Sequence, residues 1–359
     1  MERDHQLEHF YNRDTFDNQK QFGRDIYDAF KNRNLTHVLA IAPTQSGKTG
    51  SMLAIAREFN QSKHMQVPID NIFIFTGHSS TEWTTQTKQR FPRSMSQNIL
   101  HRNNAKQFIQ KLHNTHNALI IFDESHIANK FGQTLFTIYH ELGFFDISSL
   151  YRRNIKIIHF TATPNSLLPH VHRWHNSMVT IHMQVPPSYI SAQHYFENNQ
   201  IFQCKPLHDN HANIRELVQV IDLDNPYYHI IRTPRGRKHF ELIQDFKLAL
   251  SSFDFEFISE PSFRKQRLDI YSSLLHKPKR HTFIFIIDVL RCAKSIHVQH
   301  VQIFYERFVF KPNHDSILQG LLGRCTGYHS HHSHIRIFTF YNIQHIYLSY
   351  FNILFPTSD

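Results

Sequence analysis

A glycine, a lysine and a threonine follow one another at Gly47, Lys48 and Thr49, in the segment Ala42–Thr49 that reads APTQSGKT. An apolar run, Val38–Ile41, precedes this segment, and an amphipathic helical pattern follows it. Free amides at the start of a helix bind phosphate, and glycine lets the backbone approach without a Cβ clash. Lys48 would reach the outer phosphates, and the Thr49 hydroxyl would bind Mg²⁺. The predicted contacts of this phosphate loop are Pro43, Thr44, Gln45, Ser46, Gly47, Lys48 and Thr49.

Two adjacent carboxylates, Asp123 and Glu124, stand at the end of the apolar run Leu119–Phe122, 75 residues after Lys48. Ligands of parallel α/β sheets bind at the carboxyl ends of the strands. There Asp123 would hold Mg²⁺, and Glu124 would orient or deprotonate the attacking water. Alone, an acidic pair after an apolar run also fits a solvated turn. Together with the phosphate loop, it predicts hydrolysis of a nucleoside triphosphate, with ATP and Mg²⁺ as the expected cofactors.

Two threonines, Thr161 and Thr163, stand at the end of a third apolar run, Ile157–Thr161. Their hydroxyls would hydrogen-bond the acidic pair and couple the nucleotide state to the rest of the protein. An ordinary Thr-Pro turn is the alternative. The order of the three segments along the chain favours the coupling role.

Polar and basic loops predict contacts with a nucleic-acid backbone. Ser79 and Ser80 follow the run Ile72–Thr76, and their hydroxyls would bind phosphate. In the second half of the chain, Arg232 and Arg235 belong to a basic cluster of the same expected role. For both loops the alternative is a solvated segment without a ligand.

Short apolar runs alternate with amphipathic stretches along the whole chain, which predicts an α/β protein with two mostly parallel sheets flanked by helices. Further runs in the second half are expected as strands: Ile230–Thr233, Phe253–Ile258, Phe283–Ile287, Val301–Tyr305 and Ile335–Thr339. A polar, proline-bearing stretch around 185–213 marks the boundary. We therefore expect two lobes, residues 1–190 and 191–359.

Composition narrows the class of protein and of partner. The 359 residues are 40% hydrophobic and 19% charged, which fits a globular protein of two domains. The formal charge of +10 favours a polyanion such as DNA or RNA as partner. The three cysteines lack metal-ligand spacing, the first residues lack a signal-peptide pattern, and no apolar run reaches membrane-spanning length. The expected location is intracellular, in cytoplasm or nucleus or in a viral factory or virion, without membrane contact.

The order of these segments resembles the superfamily 2 helicases of the DEAD/DExH type. APTQSGKT resembles motif I, DESH at Asp123 resembles motif II, and TATP at Thr161 resembles motif III. The resemblance implies two RecA-like lobes of a P-loop nucleotide triphosphatase that unwinds or moves along nucleic acid. The segments FTGHSSTEW and QGLLGRCTGY are similar in sequence to segments of helicase-like proteins of large DNA viruses and phages.

The same resemblance implies roles for four further residues. Gln19, or its neighbour Gln21, lies where the family's Q motif reads adenine. QGLLGRCTGY resembles motif VI, which implies catalytic roles for Gln319 and Arg324, the arginine stabilising charge during phosphoryl transfer. Arg291 is a candidate for the family's second arginine.

The departures from the family pattern keep two alternatives open. Gln45 stands where the family usually has glycine, and Gly327 stands where motif VI usually ends in arginine. One alternative is a translocase or remodelling ATPase that does not separate strands and depends on a protein partner for accessory domains. The other is a degenerate nucleic-acid-binding module without hydrolysis.

Overall fold

The computed structural model describes residues 15–32, 34–77, 79, 81–125, 127, 132–167, 173–260, 270–287, 290, 296–330 and 332–354. The chain divides into two compact units, Met1–Pro186 and Pro187–Asp359. Each unit contains a six-stranded sheet whose strand pairings are parallel. The predicted α/β class with parallel sheets is therefore confirmed.

The first unit has the sheet order β3-β2-β4-β5-β1-β6. Its strands are β1 (His37–Ile41), β2 (Ile72–Thr76), β3 (Ile99–His101), β4 (Ala118–Asp123), β5 (Ile155–Thr161) and β6 (Met178–His182). Among the residues described, its α-helices of six residues or more are α1 (Asp17–Ala29), α2 (Lys48–Gln61), α3 (Thr81–Arg90), α4 (Ala105–Leu112), α5 (Thr134–Glu141) and α6 (Ile147–Arg153). Strand β1 lies between β5 and β6, so the phosphate loop begins inside the sheet and not at its edge.

The second unit has the sheet order β7-β12-β11-β8-β10-β9. Its strands are β7 (Ile201–Gln203), β8 (Tyr228–Arg232), β9 (Glu256–Ser259), β10 (Thr282–Ile286), β11 (Val301–Tyr305) and β12 (Arg336–Thr339). In the part of this unit that the structure describes, the α-helices are α7 (Ala192–Glu197), α8 (His211–Val218), α9 (Arg237–Ala249), α10 (Ile270–Ser273), α11 (His314–Gln319), α12 (Leu321–Cys325) and α13 (Ile343–Leu354).

Alternate residues of each buried strand pack into cores on the two faces of the sheet. In β4, Leu119 and Ile121 belong to one cluster, whereas Ile120 and Phe122 belong to the other. This continuous burial explains the unbroken apolar run in the sequence, because helices cover both faces of a parallel sheet. The segments that follow β1, β4 and β5 are therefore attached to the buried, inner part of the sheet.

The strands expected from the sequence are present, with small shifts at their ends. The run Phe253–Ile258 differs most, because β9 starts only at Glu256 and the rings of Phe253 and Phe255 stack on each other ahead of it. Among the described residues, no helix has the length and apolar character needed to cross a membrane.

Candidate active site

The strand order of the first unit brings three loops of interest to one edge of the sheet. Strands β4, β5 and β1 are neighbours, and all run in parallel. Ile41 at the end of β1 pairs with Thr161 at the end of β5, and Phe122 near the end of β4 pairs with His159. The segments that follow these strands therefore emerge side by side, as expected for a ligand site in this class of fold.

The phosphate loop is a compact turn that leads into α2. The Ser46 hydroxyl donates to the Pro43 carbonyl at 2.7 Å, and the Ser46 amide donates to the same oxygen. Gln45 and Gly47 both have left-handed backbone, with φ of 60° and 92°. A glycine accepts this conformation freely, whereas Gln45 adopts it at a steric cost. The turn leads into the start of α2 at Lys48, and the amides at a helix N-terminus are suited to binding an anion.

Gln19 packs directly on the phosphate loop, and Gln21 does not. The buried Gln19 amide donates to the Gly47 carbonyl at 3.2 Å, and its oxygen accepts from the Phe16 amide at 3.1 Å. A Cβ atom at Gly47 or at Gly50 would lie within 2.3 Å of the Gln19 side chain. Gly47 also has a positive φ that disfavours other residues, whereas a side chain at Gly50 would displace the end of the Gln19 side chain. Gln21 is exposed and bonds Asp25 on its own helix.

Lys48 and Glu124 form an ion pair at the centre of the site. The distance from Lys48 Nζ to Glu124 Oε1 is 3.0 Å, and the two side chains are only 12% and 6% exposed. Thr49 follows at the start of α2 and is half-buried. The pair joins the first helix turn to the segment after β4.

Asp123 accepts two hydrogen bonds that fix its carboxylate. The indole of Trp83 donates to Oδ2 at 2.8 Å, and the Glu124 amide donates to Oδ1 at 3.0 Å. Burial, and then the neighbouring Glu124 charge, raise the pKa of Asp123 to about 6, although Lys48 and the two hydrogen bonds act in the opposite direction. The carboxylate is therefore close to its titration range near neutral pH.

The turn after β4 holds Glu124 in left-handed backbone, with φ of 49°. Ser125 anchors this turn, because its amide and its hydroxyl both donate to the Phe160 carbonyl of β5 at 3.0 Å. The Ile127 amide donates to the Glu124 carbonyl at 2.9 Å. Strained backbone of this kind persists only where the surroundings enforce it, and it often marks functional positions.

The hydroxyl of Thr161 shapes the turn that contains Thr163. It donates to the Thr163 carbonyl at 3.1 Å and accepts from the Thr163 amide at 3.0 Å. The Thr161 carbonyl accepts from the Ala42 amide at 3.1 Å, which ties this turn to the start of the phosphate loop. Thr161 thus reaches the loop through its backbone, a contact that the sequence did not indicate.

The contact of Trp83 with Asp123 is one that sequence analysis missed. Trp83 stands in α3, after β2, and is 5% exposed. Its position follows from the pairing of β2 with β4, in which Thr76 lies opposite Asp123. The sequence did contain one signal for this contact. The segment TEWTTQTKQR is polar except for its tryptophan, and such a large ring is seldom left in solvent, which indicates burial of Trp83. The serine predicted just before it, Ser79, is exposed, and Ser80 lies outside the described residues.

In the second unit, Arg324 and Gln319 lie together and are buried. The Arg324 guanidinium donates to the Gln319 carbonyl at 3.0 Å, and each residue is 2% exposed. A break at Gly320 separates the helix of Gln319, α11, from that of Arg324, α12. A Cβ atom at Gly320 would lie 2.7 Å from the Ser316 carbonyl, so this glycine permits the tight corner.

The two arginines of the predicted basic cluster have different surroundings. Arg232 is buried at the end of β8, where it pairs with Glu306 at 2.7 Å and donates to the carbonyls of Ile287 and Leu290. Its guanidinium therefore stabilises the loop after β10 and is not displayed at the surface. Arg235 is exposed in the bend before α9. Arg291, the candidate second arginine, lies outside the described residues.

Comparison with known proteins identifies the architecture. No family profile matches the chain. Uncharacterized protein L594 of Acanthamoeba polyphaga mimivirus is 26% identical over 318 residues, covering 81% of this chain and 77% of that protein. The structure of S. cerevisiae Dbp5 bound to RNA and ADP BeF3 has a TM-score of 0.51 at 12% identity, covering 88% of this chain and 83% of Dbp5. The chain has the RecA-like helicase fold.

One further solved structure is similar over part of its length. The Escherichia coli DEAH/RHA helicase HrpB has a TM-score of 0.49 at 13% identity, covering 88% of this chain and 42% of HrpB.

Proposed function

We propose that this chain is an Mg²⁺-dependent ATP hydrolase of the superfamily 2 helicase type that acts on DNA or RNA. The observation that carries the proposal is the 3.0 Å contact between Lys48 and Glu124. It joins a loop suited to phosphate with an acid suited to activating water, at the carboxyl edge of a parallel sheet.

The donor set suits a nucleotide polyphosphate with Mg²⁺. Lys48 and the first amides of α2 supply positive charge and hydrogen-bond donors for phosphate oxygens. The Thr49 hydroxyl and the Asp123 carboxylate are oxygen ligands of the type that Mg²⁺ prefers. Close packing of Gln19 against Gly47 fixes the loop in a shape that a larger side chain would disturb. Bound Mg²⁺ would neutralise charge that develops on the transferred phosphoryl group.

The remaining site residues receive the following roles. Glu124 accepts a proton from the attacking water or orients it, for which its buried position beside Lys48 is suitable. Thr161 and Thr163 couple the turn after β5 to the phosphate loop through the Ala42 contact. Arg324 stabilises negative charge during phosphoryl transfer, with Gln319 fixing its guanidinium.

Nucleic acid is the proposed polymer on which the protein acts. The +10 formal charge favours a polyanion, and Ser79 and Arg235 are exposed for contacts with its backbone. Arg232 is not retained in this role, because its guanidinium pairs with Glu306 and donates to the carbonyls of Ile287 and Leu290. The Dbp5 structure, of the same fold, contains RNA and ADP BeF3, which supports a nucleotide and a nucleic acid as ligands here.

The test is ATP hydrolysis with and without single-stranded DNA or RNA. We expect turnover that polynucleotide stimulates and that Lys48→Ala abolishes. Lys63→Ala, a change of the same kind at an exposed lysine just after α2, is the matched control and keeps wild-type turnover. Absence of turnover with every polynucleotide would favour the non-hydrolysing binding module. Turnover without displacement of a paired strand would favour the translocase.

A further inference from the structure

The indole of Trp83 makes a direct contact with the carboxylate proposed to hold Mg²⁺. Its Nε1 lies 2.8 Å from Asp123 Oδ2, and the two residues are 5% and 4% exposed. The two residues are 40 positions apart and come from different elements, the helix after β2 and the end of β4. The contact is therefore a product of the tertiary fold and not of local turn geometry.

The chemistry of an indole makes this hydrogen bond specific. The indole N–H donates and cannot accept, so its partner must be an acceptor such as a carboxylate oxygen. The Glu124 amide donates to the other oxygen, Oδ1, at 3.0 Å. With one donor on each oxygen the plane of the carboxylate is fixed, while each oxygen keeps a lone pair for another ligand. Hydrogen bonds of this kind orient metal ligands and strongly affect metal affinity.

The segment that carries Trp83 is attached to the acidic turn at a second point. A Cβ atom at Gly77 would lie 2.4 Å from the Ile127 carbonyl, so the backbones pass in close contact there. Gly77 directly follows β2, and Ile127 lies three residues after Glu124. Ser79, the exposed serine with a proposed role in nucleic-acid binding, stands between Gly77 and Trp83 in the sequence. Both ends of this segment thus contact the acidic turn.

We propose that Trp83 is a positioning residue for Asp123: its indole N–H fixes the carboxylate in the orientation that binds Mg²⁺ and links it to the segment after β2. The inference rests on the proposed function, in which Asp123 holds the metal. Trp83 acts through Asp123 and does not touch the nucleotide itself.

Fluorescence provides a test that does not depend on catalysis. The chain has two tryptophans, and Trp174→Phe leaves Trp83 as the sole one. In this background we expect Mg²⁺ with a non-hydrolysable ATP analogue to change the Trp83 emission in a saturable manner. Asp123→Ala removes the hydrogen-bond acceptor, shifts the starting emission and abolishes the response. An identical titration curve with and without the Asp123 carboxylate would overturn the inference.

The dependence of hydrolysis on Mg²⁺ provides the second test. Trp83→Phe keeps an aromatic ring and removes the donor. We expect the Mg²⁺ concentration at half-maximal rate to rise roughly ten-fold, with most of the rate recovered at saturating Mg²⁺. Trp174→Phe is the matched control, because it removes another buried indole donor of the same unit, one that bonds the Phe144 carbonyl. A merely structural role would lower stability and rate in both variants without moving the Mg²⁺ midpoint.

The two tests separate failure of the inference from failure of the proposed function. If the wild type hydrolyses ATP and Trp83→Phe has the wild-type Mg²⁺ midpoint, the inference is wrong and the proposed function stands. If the wild type does not hydrolyse ATP, the proposed function is wrong. The emission of Trp83 with Mg²⁺ and the analogue then decides whether the indole senses a metal at Asp123, and the absence of a response rejects the inference as well.

Discussion

Lys48 Nζ lies 3.0 Å from Glu124 Oε1, so the lysine proposed to bind phosphate is already paired with the acid proposed to activate water. Both groups are largely buried, which strengthens their attraction and makes either charge costly to leave alone. A triphosphate would compete with Glu124 for Lys48. Binding of the nucleotide would thereby release the carboxylate toward the attacking water.

This competition predicts opposite effects of Glu124→Gln on binding and on turnover. Loss of the negative charge frees Lys48 for phosphate, so ATP affinity is retained or increased. Loss of the base lowers the rate of hydrolysis by about 10²- to 10⁴-fold. Single-turnover hydrolysis and equilibrium nucleotide binding measure the two effects. Glu141→Gln, at an exposed glutamate, is the control, and wild-type turnover in Glu124→Gln would contradict the role.

Gln19 and Gln21 provide a matched pair for testing whether the contact of Gln19 with the phosphate loop affects ATP binding. Gln19→Ala removes two hydrogen bonds, to Gly47 and to Phe16, and opens space against Gly50. We expect ATP affinity to fall roughly five-fold, since the bond that reaches the loop, to Gly47, contributes about 1 kcal/mol. Gln21→Ala at the exposed position should leave binding unchanged. Equal effects of the two variants would show that the contact of Gln19 with the phosphate loop does not contribute to ATP binding.

The raised pKa of Asp123 predicts that its charge opposes folding in the absence of Mg²⁺. The pKa in the folded protein, about 6, is above the ordinary 3.8, so ionisation costs free energy at neutral pH. We expect the free energy of unfolding of Asp123→Asn, relative to that of the wild type, to gain about 1–3 kcal/mol between pH 4 and pH 7. This gain adds to a cost that does not change with pH, because the asparagine NH2 faces one of the two N–H donors that the carboxylate accepts. The gain should shrink as the pH falls from 6 toward 4, because the wild-type carboxyl is then protonated as well.

Urea unfolding across this pH range, without Mg²⁺, measures the difference between Asp123→Asn and the wild type. Asp254→Asn, at an exposed aspartate paired with Arg280, is the control. A gain that grows with decreasing pH would contradict the assigned pKa direction.

Buried histidines predict a loss of stability on acidification. Burial lowers the pKa of His37 and of His229 well below the ordinary 6.5, with the positive charge of His159 and His281 as the second cause. The unfolded chain then binds more protons below pH 6.5, so stability present above that pH is lost as the pH falls. Each fully buried group contributes up to about 1.4 kcal/mol per pH unit below 6.5.

Thermal unfolding between pH 7.5 and 5.5 tests this expectation in each unit. His37→Gln in the first unit and His229→Gln in the second should flatten the decline of the transition temperature. His64→Gln at an exposed position is the control. A wild-type decline in both glutamine variants would show that other groups cause the acid sensitivity.

The sequence predicts the inner strands well and the outer ones poorly, for a physical reason. β4 and β5 are buried along their whole length, and such strands form unbroken apolar runs. β6 and β7 are edge strands with half-buried or exposed residues, and β3 has only three residues. These short or partly exposed strands lack a long apolar run in the sequence. Their assignment as strands therefore depends on pairing with a neighbouring strand, which the sequence alone does not show.

The candidate site shows the same division. Lys48 and Glu124 were predictable, because each follows an apolar run within a recognisable local pattern. The Trp83–Asp123 hydrogen bond was not, because it depends on β2 lying beside β4. The burial of Arg232 was also unpredictable, since its partner Glu306 stands 74 residues later at the end of β11. Local spacing cannot reveal contacts that depend on strand order.

The most direct test of the account measures ATP hydrolysis by the wild type and by Lys48→Ala, with and without single-stranded nucleic acid. The account predicts wild-type turnover that requires Mg²⁺, increases with polynucleotide and disappears in Lys48→Ala. Turnover that survives in Lys48→Ala, or a wild type that binds polynucleotide without hydrolysing ATP, would contradict it.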